Sequence, residues 1–122
     1  MCNSLHLDSV PIPKTGYGWK IVIEKNKGGI ISPVNRAPYL KSKKGIITWD
    51  TTWNKDGGFC FFLKKKEAIR ANDLHGWLWG SDARQIVVKI RYFEGIGKHI
   101  ETKFIGSYEF EVALCKKFRF VK

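Results

Sequence analysis

Acidic residues are scarce in this 122-residue chain: 11 Asp and Glu stand against 22 Lys and Arg, for a formal net charge of +11. A field of that sign favours polyanions, nucleotides or acidic protein surfaces as partners and speeds their encounter. The shortage is local. Between Lys14 and Lys44 there are eight basic residues and the single acid Glu24. Asp8, Asp50, Asp56, Asp73 and Asp82 all fall in expected loops, and none pairs with another carboxylate at a spacing that implies acid/base work. Cysteines are few and odd in number, Cys2, Cys60 and Cys115, with no CxxC spacing. Cys60 and Cys115 lie in apolar runs and read as buried reduced thiols, which points to a reducing compartment, the cytoplasm. His6, His75 and His99 are scattered, which argues against a metal site. No apolar run approaches the length of a membrane span. The first residues lack a basic flank followed by an apolar stretch, so neither anchor nor signal peptide is expected. No catalytic residue, cofactor or metal is expected, and the protein reads as non-enzymatic.

What is present is a globular composition, 43% apolar and 14% aromatic with five Trp. One domain of this length buries roughly two-thirds of its unfolded surface, enough for a real core. Residues 1–15 contain Pro11 and Pro13 and read as an N-terminal arm; residues 16–122 form a single domain. From Gly16 to Lys25 the chain alternates as a strand, with Tyr17, Trp19, Ile21 and Ile23 on one face. Asn26-Lys27-Gly28-Gly29 signals a hairpin turn into Ile30-Ile31. Further strands are expected at Gly45–Trp49, Phe59–Leu63, Gln85–Glu94, Lys98–Phe104 and Tyr108–Cys115. A short helix runs from about Lys64 to the residue before Asn72, with Lys64-Lys65-Lys66 opposing its macrodipole. Gly95-Ile96-Gly97 reads as a tight hairpin turn, and Lys116-Lys117 as a break before a last short strand at Phe118 and Phe120. The fold expected is α+β, a mostly antiparallel curved β-sheet with one short helix packed on it.

Binding has more support than catalysis. The corner from Asn72 to Arg84 is long, Gly-rich and crowded with rings, and loops of this kind carry function disproportionately. Trp77 and Trp79, with His75 and Arg84 near them, suit a base held between rings while a guanidinium meets a phosphate. The plainer alternative is that one of these Trp caps a small core. Trp49 and Trp53 flank a second polar loop and suit an opposite wall. Arg36 and Arg70 add forked donors. Two partners fit: an anionic nucleotide ligand in such a pocket, or nucleic acid along the basic stretches. One sparse helix leaves sheet surface uncovered, which leaves room for a homodimer.

The order of elements resembles a group of small phage and prophage proteins. The residues that carry the likeness are Tyr17-Gly18-Trp19, Gly45-Ile46-Ile47-Thr48-Trp49, Gly58-Phe59-Cys60-Phe61-Phe62, Val87-Val88-Lys89-Ile90 and Lys117-Phe118-Arg119-Phe120. Size, basic charge and aromatic loops are also similar to the Thoeris anti-defence proteins. That resemblance implies a non-enzymatic phage counter-defence protein in the host cytoplasm that sequesters a cyclic ADP-ribose signal. The alternative reading is a nucleic-acid binder, or an inhibitor of a nucleic-acid-processing complex such as a CRISPR nuclease.

Overall fold

A computed structural model describes residues 9–25, 30–31, 45–49, 57–74, 83–103 and 108–121. The sequence reads correctly as α+β: an open antiparallel sheet carries one short helix. The elements are β1 (Thr15–Lys25), β2 (Ile30–Ile31), β3 (Ile47–Thr48), β4 (Phe59–Phe61), α1 (Lys65–Leu74), β5 (Ala83–Lys103) and β6 (Tyr108–Phe120). The sheet order is β2-β1-β5-β6-β3, and β4 also pairs with β6. Strands β3 and β4 therefore share one edge of β6, at Lys117–Phe118 and Ala113–Cys115 respectively.

The 21-residue strand β5 is the spine. Its alternating Ile, Val and aromatic residues suit a strand with packing on both faces. Residues 83–93 take β1 as neighbour in an unbroken register from Lys25↔Ala83 to Thr15↔Phe93. Beyond that, the arm takes over the same edge. Val10 and Lys98 exchange backbone hydrogen bonds at 2.8 Å each, and Gly95 N donates to Lys14 O at 3.0 Å. The other edge of β5 carries β6.

Curvature brings the far end of this layer back to β1. Trp19 and Phe62 exchange two backbone hydrogen bonds, at 2.8 and 2.7 Å. That single bridge is not a continuous ladder, so the sheet stays open. The approach is close because Gly18 has no side chain: a Cβ there would lie 2.5 Å from the Phe61 ring and 2.9 Å from Phe62 O.

The two faces carry two cores. The inner face gathers Ile47, Phe61, Ile90, Tyr92, Ala113, Cys115 and Phe118. The outer face packs Ile21, Phe62, Phe110, Val112 and Leu114 against Ala68 and Ala71 of α1. The helix contacts the sheet through those two alanines, while Ile69 is exposed and Lys64, Lys65 and Lys66 project into solvent.

Three expectations are corrected. The helix does not end before Asn72; α1 runs through Asn72 and Asp73 to Leu74, so Asp73 is helical. Gly95-Ile96-Gly97 is not a turn; β5 runs through it with a register shift between Gly95 and Gly97. Glu94 just before it adopts a left-handed φ of 51°. A Cβ at Gly95 would lie 2.4 Å from Pro13 O, so this glycine serves the close approach of the arm. Nor does Lys116-Lys117 break the last strand. Lys116 O accepts from Trp49 N at 2.8 Å, its Nζ donates to Gly57 O, and Lys117 pairs with Thr48, so both stay in the ladder of β6.

Candidate nucleic-acid interface

The helix covers only part of the outer face. It lies against Ile21 and Val87, and Gln85 Nε2 donates to Asn72 Oδ1 at 2.7 Å beside its last turn. Above that point the odd positions of β1, β5 and β6 stay open. Register aligns them in rows. Thr15, Phe93 and Lys117 form one row, with Thr48 next to Lys117; Tyr17, Arg91 and Arg119 form the next; Trp19 and Lys89 form the third. Val121 N donates to Lys89 O at 3.0 Å and extends that last row. Tyr17, Lys89, Arg119 and Val121 are exposed, while Trp19, Arg91, Phe93 and Lys117 are half-buried.

The side chains form a lattice of cations on rings. Arg91 Nη1 donates to Tyr17 Oη at 3.0 Å. Its guanidinium carbon lies 5.1 Å from the Tyr17 ring centre and 5.7 Å from that of Phe93. Lys89 Nζ lies 4.8 Å from the Tyr17 ring and 6.0 Å from the Trp19 ring. These distances are within cation–π range, so the rings fix the cations without neutralising them. Lys117 pairs with Glu94 at 3.1 Å. Among the described residues no carboxylate pairs with Lys89, Arg91 or Arg119.

The residues singled out from sequence are placed elsewhere. Arg84 stands on the opposite face of β5 from Arg91, where Nε and Nη2 both donate to Glu24 Oε1, at 3.0 and 2.7 Å. Arg70 is exposed on α1, its guanidinium 5.0 Å from the Phe110 ring centre. Trp49 is buried, edge-on to Phe59 at 5.1 Å, and faces the inner core. These three lie on different parts of the fold with different neighbours. His75, Trp77, Trp79, Trp53 and Arg36 lie outside the described residues. The face itself carried a sequence signal that reading for loops passed over: Lys89, Arg91 and Phe93 alternate with Ile90 and Tyr92.

The interior holds a cation of its own. Lys20 is buried on the inner side of β1, its Nζ donating to Cys60 O at 2.7 Å. The Phe59 and Phe118 ring centres lie 5.9 and 5.7 Å from it. A hydrogen bond and two ring faces offset part of the cost of removing the ammonium from water. Burial pushes the Cys115 thiol up to about 12, with the Lys20 charge pulling the other way. Such a thiol stays protonated and is no nucleophile at neutral pH.

Among the described residues no three His, Cys, Asp or Glu side chains gather into a metal-binding group, and no helix is long and apolar enough to cross a membrane. Comparison with protein-family models, with curated proteins and with solved structures finds no match.

Proposed function

We propose that the protein is a non-catalytic nucleic-acid binder whose ligand lies across the open outer face of β1, β5 and β6. The observation that supports this reading is the row Tyr17, Arg91 and Arg119, flanked by Lys89, with a ring beside each of the two β5 cations. Phosphates are drawn by cations that no acid among the described residues neutralises, and bases find rings at the same level. An open sheet face suits a chain of nucleotides better than it suits one small enclosed molecule. In a phage setting such a protein acts in the host cytoplasm, occupying the nucleic acid of a defence complex.

Sequestration of a cyclic nucleotide signal is the competing reading. It needs an enclosing pocket from the corner that carries His75, Trp77 and Trp79. The two readings separate in a salt titration with a labelled oligonucleotide. If Lys89 and Arg119 each neutralise one phosphate of a single strand, log K falls against log salt with a slope of about −1.4. Arg119→Gln reduces that slope to about −0.7. A flat slope, or one that ignores Arg119, contradicts the proposal.

A further inference from the structure

The rows of this face supply more than charge. Arg91 is tied down: its Nη1 is committed to Tyr17 Oη, and its guanidinium carbon lies 5.1 and 5.7 Å from the ring centres of Tyr17 and Phe93. Its neighbours in register, Tyr17 and Arg119, are both exposed. A guanidinium held this way loses little freedom when a flat group settles on it. Point charges such as Lys89 attract any polyanion equally. A fixed planar cation beside two rings discriminates in favour of a planar partner.

We infer that the ligand is single-stranded nucleic acid, and that an unpaired base stacks on the Tyr17–Arg91–Phe93 ladder while Lys89 and Arg119 take the flanking phosphates. The inference rests on the nucleic-acid reading above and sharpens its ligand class. A duplex keeps its ring faces inside its own stack and shows a sheet only phosphates and groove edges. The rings of this face have nothing to stack on in such a partner. A single strand presents both chemistries along its length. Successive rows stand about 6.8 Å apart along the strands, so the three rows offer a platform of about 14 Å. Neither ring nor phosphate contacts distinguish ribose from deoxyribose, so the preference is for unpaired strands of either sugar.

The test uses the full chain and three labelled probes of equal length: an oligo-dT strand, an abasic strand with the same phosphates, and the dT strand annealed to dA. The wild-type protein binds dT at least about tenfold more tightly than the abasic strand, and more tightly than the duplex. Arg91→Lys keeps the charge and removes the planar fork. It weakens dT binding about tenfold towards the abasic value and leaves the salt slope unchanged. Arg119→Gln weakens dT and abasic strands alike and lowers both slopes by about 0.7. Equal wild-type affinity for dT and abasic strands overturns the inference, with no variant required. So does tighter binding of the duplex, or an Arg91→Lys protein that matches wild type on dT. In those cases slopes that still respond to Arg119→Gln leave the nucleic-acid reading standing. If none of the probes binds, both fall.

Discussion

Substitution of Gly18 by Ala tests the packing that curves the sheet beneath this face. The added Cβ would sit 2.5 Å from one Phe61 ring carbon, 2.7 Å from another and 2.9 Å from Phe62 O. Carbon–carbon contacts are optimal at about 3.5–4.0 Å, so roughly 1 Å of displacement is needed. Neither neighbour has room to give. Phe61 is fully buried, its ring 4.9 Å from that of Tyr92. Phe62 O is already the acceptor of Trp19 N at 2.8 Å. Overfilling a packed core costs about 1–3 kcal/mol. Ala also restricts the unfolded chain, which returns about 0.4–1 kcal/mol where the backbone suits it. It does suit it here, because Gly45 is the glycine with positive φ among the described residues, and Gly18 is not. The net expectation is a loss of about 1–2 kcal/mol, a fall in Tm of roughly 4–8 °C for a domain of this size. Thermal and urea denaturation of Gly18→Ala, alone and combined with Phe61→Leu, measure it. The smaller side chain makes room, so the cost of Gly18→Ala shrinks in the double variant by more than about 0.5 kcal/mol. A Gly18→Ala protein as stable as wild type, or an equal cost in both backgrounds, refutes this account of the curvature.

Other perturbations follow from the same geometry. The Cys115 thiol ionises near 9.0 when unfolded and only at about 12 when folded. Between those values the unfolded state holds fewer protons, so this contribution is complete below the unfolded pKa and is lost as pH rises, on the order of 4 kcal/mol in all. The urea midpoint of wild type should therefore fall more steeply above about pH 9 than that of Cys115→Ala; parallel curves contradict the assignment. Glu94 holds a left-handed φ, so Glu94→Val should cost about 1–2 kcal/mol in denaturant titration. Glu94→Gly should fall within about 0.5 kcal/mol of wild type, since its bridge to Lys117 is half-exposed. If the Val variant is no less stable than the Gly variant, the bend does not depend on that conformation. Cys60 and Cys115 should stay unmodified by a thiol reagent at neutral pH until denaturant is added, because both are buried; prompt labelling at either of these two positions, located by peptide mapping, contradicts their placement.

The parts of the fold readable from sequence were those with a strong local period. The alternation from Tyr17 to Ile23 and from Ile86 to Phe93 set both strands of the β1–β5 pair, and the Asn-Lys-Gly-Gly signal set the pairing of Ile23 with Ile31. Errors came where a residue serves a distant neighbour. Gly95 looked like a turn residue because its tie to Pro13 is not local. Lys116 and Lys117 looked like a break because their ladder partners, Trp49 and Thr48, lie about seventy positions earlier. Lys20 had no signal at all, since its partner carbonyl belongs to Cys60, forty positions on. The open face was missed for a related reason. Its aromatic residues come from β1 and β5 and its cations from β5 and β6, so the cluster exists only in register. Attention to the Trp-rich corner followed local composition, whereas Lys89, Arg91 and Arg119, the cations set beside rings or in register with them, stand on strands.

The central claim, that ligand docks on the outer face of β1, β5 and β6, is tested most directly by backbone-amide NMR during titration with a single-stranded oligonucleotide. Shifts are predicted to cluster at 15–19, 89–93 and 117–121, with little change at Arg84 and along α1. Shifts concentrated between Asn72 and Arg84, with 89–93 unmoved, would contradict the claim and return the site to the Trp-rich corner.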